Sequence, residues 1–153
     1  MKDSWSEFFK AVPKLSKENK LREFQFKFLH RIVVTKKELR RYGIKSDSDC
    51  SYCGELDSIE HTFIDCRFTK SFVGQAVEWF YFSSGTQFHP EIEETLFGLP
   101  KQHSAARVTR KFNYTLLFMK YYIYSSKLND SSITLSEFIN KINFKYKIEK
   151  FTF

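Results

Sequence analysis

The three cysteines of this chain fall within 17 of its 153 residues, in the pattern C-x2-C-x7-H-x4-C formed by Cys50, Cys53, His61 and Cys66. Four soft or borderline donors at this spacing suit a tetrahedral Zn²⁺ ion, with sulfur at about 2.3 Å and nitrogen at about 2.0–2.1 Å. Cys50 and Cys53 can bite from one tight turn, and Gly54 frees the backbone to reverse just after the second thiolate. His61 and Cys66 are five residues apart, about 500° around an ideal α-helix, so they do not share a helix face. Cys66 is therefore expected in the unwound end of that turn. Three thiolates, a neutral imidazole and Zn²⁺ sum to −1 and leave no open position for water, the mark of a structural site.

Other readings of the cysteines fit less well. A redox Cys50-x-x-Cys53 pair calls for a βαβ pattern, and a disulfide framework calls for a secreted chain with an even cysteine count. The segment 1–6 has no apolar core of a secretory signal, and no apolar run approaches the ~20 residues of a membrane span. The expected compartment is the cytoplasm, with nuclear access. His30, His89 and His103 are read as ordinary polar residues.

The rest of the chain reads as helix. Phe is unusually abundant, at 18 residues, beside only five Gly and three Pro, which points to helices packed on aromatic faces. A first short helix carries Trp5, Phe8, Phe9 and Val12 and is ended by Pro13. Leu21, Phe24, Phe28 and Ile32 then recur at helical spacing, giving one buried stripe. Thr35-Lys36-Lys37-Glu38 reads as a capping box for a short basic helix closed by Gly43 at C′. Ser58 to Cys66 reads as a capped helical turn, and Phe68 to Phe82 as an amphipathic helix with Phe72, Ala76, Trp79 and Val73, Val77, Phe80 inward. Gly85 and Pro90 bracket a loop. Residues 104–127 predict a long helix with a stripe of Phe112, Leu116, Met119 and Ile123. Thr134-Leu135-Ser136-Glu137 is a second capping box, opening a helix with Leu135, Phe138, Ile139, Ile142 and Tyr146 on one face. The expected fold is mainly α: a single domain over 1–153, with a basic helical part at 1–45, a zinc-binding Cys/His insert with its following helix at 46–82, and a helical part at 83–153.

Beyond this reading lies a resemblance. The stretch 21–30, then Thr35, Leu39 and Gly43-Ile44, then Cys50-x2-Cys53, Glu60-His61-Thr62-Phe63 and Cys66, resembles the zinc-binding region that follows the reverse transcriptase in LINE-type, non-LTR retrotransposon proteins. Leu96-Phe97-Gly98 and the run 120–124 are similar to the tail of those second-open-reading-frame proteins. The likeness covers roughly 20–127. Many members carry a Trp a few residues after the last cysteine, where this chain has Phe72, still a large aromatic. The resemblance implies a non-catalytic accessory module that helps hold RNA or DNA while the polymerase works. No aromatic-x-Asp-Asp turn for two catalytic Mg²⁺ ions is found here, and Glu91, Glu93 and Glu94 read as a solvated face rather than an endonuclease site.

The charge pattern suits such a role. Residues 1–45 carry a net +8, residues 46–100 a net −8 and residues 101–153 a net +7, so two basic segments flank an acidic middle. Lys36/Arg40 and Lys37/Arg41 are like-charge i, i+4 pairs, each costing about 0.2–0.5 kcal/mol unless an anion is supplied. With Lys27, Arg31 and Lys45 they form the first expected phosphate-contact cluster. Arg107, Arg110 and Lys111, near the start of the long helix, form the second. Tyr52, between two ligands, is either a base-stacking platform or packed on Leu56 or Phe63. The expected partner is RNA or DNA without sequence preference. The alternative, drawn from the aromatic content, is a zinc-stapled domain that docks on the reverse transcriptase or another protein. Thiol redox chemistry at Cys50 and Cys53 is a third reading and needs a reactive thiol.

Overall fold

The computed structural model describes residues 16–85 and 106–150. The 1–15 helix, the loop through Pro90, the expectations on His89, His103, Glu91, Glu93 and Glu94, and the 96–98 motif lie outside the described residues. Among the described residues five α-helices follow in order: α1 Asn19–Leu29, α2 Lys36–Arg41, α3 Arg67–Ser84, α4 Ala106–Leu128 and α5 Leu135–Glu149, with a one-turn π-helix, His61–Asp65, leading into α3. Among the described residues there is no strand, only an isolated antiparallel bridge between Asp49 and Leu56. The mainly helical fold with one Cys/His insert is as the sequence predicts.

Helix α1 buries Leu21, Phe24, Gln25, Phe28 and Leu29. Ile32 does not extend this stripe: it is 56% exposed. The reason is local. Arg31 adopts φ 57°, its N–H donates to the Phe28 carbonyl, and the Ile32 N–H donates back to Lys27. That pair of bonds is a Schellman ending, so the chain leaves the helix before Ile32 can face inward. Val33 takes its place in the core.

Helix α4 differs from its expected form in a more important way. Its stripe residues Phe112, Leu116, Met119 and Ile123 are buried, but so are Tyr114, Leu117, Phe118 and Tyr122. The helix packs against α1, α3, α5 and the π-turn, so it is buried around most of its circumference. A helix so surrounded is a central strut, not an amphipathic one. Phe138 of α5, fully buried, anchors the other side, with rings of Phe72, Trp79, Phe118 and Tyr122 at 5.4–6.2 Å.

Candidate metal centre

Cys50 starts the site from a tight loop. Its N–H donates to the Glu55 carbonyl at 2.6 Å and its carbonyl accepts from the Gly54 N–H at 2.9 Å. Gly54 sits at φ +78°, the left-handed conformation that a reversal after the second cysteine requires. The other two donors come from the segment leading into α3. Ser58 Oγ accepts the His61 N–H at 3.2 Å and caps the turn. The turn is then widened: the Cys66 N–H reaches the His61 carbonyl, five residues back, at 2.9 Å. This π-type bond, followed by extended backbone at Cys66 (φ −64°, ψ 120°), brings two side chains five apart in sequence to one point. The expected unwinding at Cys66 takes this form.

The four donor atoms all lie within 4.8 Å of one another. Cys50 Sγ and Cys66 Sγ are 4.0 Å apart, and Cys53 Sγ lies 3.1 Å from His61 Nε2. A tetrahedron with bonds of about 2.3 Å has edges of about 3.8 Å, so these atoms fit around one ion. No disulfide links them. Cys50, His61 and Cys66 are buried and Cys53 is half-buried. His61 Nδ1 faces Glu55 Oε2 at 3.5 Å, which leaves Nε2 to face the sulfurs, as an outer carboxylate does at many metal-bound imidazoles. Burial pushes the Cys53 thiol up. Burial also opposes ionisation of Cys66, but the amide N–H groups of Thr69 and Phe68 at the start of α3, with the Lys127 ammonium, outweigh it and hold that thiol below its ordinary value. Cys66 is thus the N-cap of an 18-residue helix, where the macrodipole favours a thiolate.

Structure places the expected phosphate-contact residues unevenly. Lys36 is buried, 4% exposed, and its ammonium meets Asp130 Oδ1 at 2.6 Å and Ser51 Oγ at 2.8 Å. The anion its charge calls for is supplied by the chain's own Asp130, and Lys36 is not on the surface. Lys45 lies 3.7 Å from the other Asp130 oxygen. Lys27 pairs with Glu23 at 2.7 Å, Arg31 pairs with Glu60, and Arg40 donates to Ser48 Oγ at 3.3 Å. Arg41 is exposed and 3.9 Å from Glu38; Lys37 is exposed. In the second cluster Lys111 is buried, its ammonium 4.2 Å from the Tyr146 ring centroid, so it too points inward. Arg110 is exposed, and the Arg107 side chain lies outside the described residues.

Tyr52 packs on Phe68. Its ring lies 6.4 Å from Phe68, and its hydroxyl donates to the Ser131 carbonyl at 2.6 Å. Leu56 is half exposed and Phe63 faces Phe24 and Phe28 instead.

Several residues around the site escaped the sequence reading. Asp57 accepts from Thr62 Oγ1 at 2.7 Å and from Lys127 Nζ at 3.2 Å, all three being buried. Asp130 and Ser131 tie the Cys50–Cys53 loop to the end of α4. A signal was present: Lys120 and Lys127 lie seven residues apart, two turns along one face, and Lys120 interrupts the apolar and aromatic run from Leu116 to Tyr124.

Residues 2–72, just under half of the chain, match the family model described as zinc-binding in reverse transcriptase. All four donors lie inside the matched stretch, and the match ends at Phe72, short of the span to residue 127 suggested by the resemblance. Searches of the curated proteins and of the solved structures return no match.

Proposed function

From a matched segment of the reverse-transcriptase zinc-binding kind, we propose that Cys50, Cys53, His61 and Cys66 hold one structural Zn²⁺ ion and that the domain is a non-catalytic accessory of a retrotransposon-type polymerase, contacting nucleic-acid backbone. The observation that carries the metal assignment is the convergence of three cysteine sulfurs and an imidazole within 4.8 Å. Four protein donors complete a tetrahedron, so the ion's contribution is to fix the loop and the start of α3 rather than to activate water.

For nucleic acid, the supporting feature is the outer face of α2, where Lys37, Arg40 and Arg41 are exposed. A backbone-tracking interface of this kind releases counterions, so log K falls against log[salt] with a slope of about −0.7 per phosphate contact on a single strand. Affinity of the zinc-loaded chain for single-stranded RNA across a salt series tests it. A slope of roughly −3 or steeper is expected, becoming shallower by about 2 in Lys37→Glu/Arg40→Glu/Arg41→Glu. A flat slope, or an unchanged one in the triple variant, refutes the assignment. The second reading, docking on a polymerase domain or another protein, draws on exposed aromatic and aliphatic side chains: Phe26, Ile44, Phe82 and Phe144 are all more than half exposed.

A further inference from the structure

The metal centre has a component that lies outside its four donors and outside the family-matched segment. Lys127, in the last turn of α4, is 2% exposed. Its ammonium reaches across to the segment leading into the π-turn, 3.2 Å from Asp57 Oδ1 and 5.5 Å from the centroid of the Tyr52 ring, which lies between Cys50 and Cys53 in sequence. Asp57, then Cys50 and Cys66, favour its charged form against burial. A zinc ion with three thiolates and a neutral imidazole carries −1, and this charge would be buried with Cys50 and Cys66. Isolated buried charge is costly, and a paired, hydrogen-bonded counter-ion relieves it. Lys127 is placed to be that counter-ion.

We propose that Lys127 is an outer positioning residue of the metal centre, supplied by α4, so that metal binding and the docking of α4 on the Cys/His segment are one coupled event. This inference rests on the reading that the cluster holds zinc. Asp57 orients the ammonium, and Thr62 in turn holds Asp57. The same junction is braced farther out, where Lys36 and Ser51 meet Asp130 and the Tyr52 hydroxyl meets the Ser131 carbonyl. The stretch 127–131 therefore acts as a lid of fixed geometry over the Cys50–Cys53 loop.

The test compares the full chain with Lys127→Met, Asp57→Asn and the double variant, measuring zinc affinity by competition against a chromophoric chelator. Loss of an outer partner lowers metal affinity about 10–100-fold, and that loss is expected in both chains lacking Lys127. Asp57→Asn, which keeps the ammonium and an oxygen for Thr62, is expected to bind within a few fold of wild type. A purely structural role for the pair gives the opposite result, because the double variant leaves no orphaned charge. Wild-type zinc affinity in the double variant overturns the inference. Independently, chelation of the wild-type chain should speed hydrogen exchange at the α4 amides of residues 120–128, and unchanged protection there overturns the coupling even if a variant fails to fold. A wild-type chain that takes up no zinc overturns the underlying metal reading instead, which the first titration registers separately.

Discussion

Single side chains in this protein place cations where a hydrophobic pattern leaves no room for them. Lys120 is enclosed by the core, 3% exposed, with Gln25 Oε1 at 3.2 Å and the Phe28 ring centroid at 4.2 Å from its ammonium. Burial pulls its pKa down to about 7. The unfolded chain holds that proton up to about 10.4, so between those values it binds more protons than the folded one and stability rises with pH. Expected is a gain from pH 7 to 10 with a slope of up to about 1.4 kcal/mol per unit. Above pH 10 the sign reverses, because burial keeps the Tyr114 and Tyr146 hydroxyls protonated past their ordinary range. Urea denaturation across that window, with Lys120→Met as comparison, checks this: the variant should lose most of the rise. An equal rise in both chains rules out Lys120 as its source.

At the level of elements, helix ends decide more than helix middles. Helix α2 ends as its sequence says, with Gly43 at φ +75°, its N–H on the Arg40 carbonyl and the Ile44 N–H on Leu39. Arg31 and Asp130 close α1 and α4 in the same way, at φ 57° and 54°, without the glycine that makes such an ending legible. Asp130's turn has a consequence: it aims the carboxylate at Lys36 and Lys45. The two capping boxes also differ from their pattern. Thr35 precedes α2 at the expected place, yet its buried hydroxyl caps nothing. Thr134 does accept from the Glu137 N–H, at 3.3 Å, but Glu137 turns to Lys141 and Tyr122, and the Tyr122 hydroxyl accepts the Thr134 N–H instead. For Gly43→Ala, a new Cβ meets nothing within 4 Å, so only the left-handed backbone is penalised. A loss of about 1 kcal/mol is expected in chemical denaturation. A loss of 3 kcal/mol or more would mean that the α2 ending supports more than itself.

For the whole molecule, the proposed zinc site and the helical core are expected to behave as one cooperative object. Structural zinc supplies on the order of 10 kcal/mol of site free energy, comparable with the entire stability of a domain this size. Chelation, or Cys66→Ser, should therefore lower helicity and thermal stability together, with the loss extending beyond residues 46–82 into α4 because of the Lys127–Asp57 and Tyr52–Ser131 links. Circular dichroism through a thermal scan, with and without chelator, checks it; unchanged melting would show the fold to stand without metal. The sequence by itself determined the Cys/His cluster, the helical class and the positions of most elements, because ligand spacing and helical periodicity act over a few residues at a time. Tertiary structure alone decided the fate of the charges. Whether a lysine meets solvent, a ring or a carboxylate far along the chain depends on which helices surround it. Lys111 and Lys127 turned inward because α4, which carries both, lies at the centre, in contact with α1, α3, α5 and the π-turn, and Lys36 is buried against Asp130 just past the end of α4.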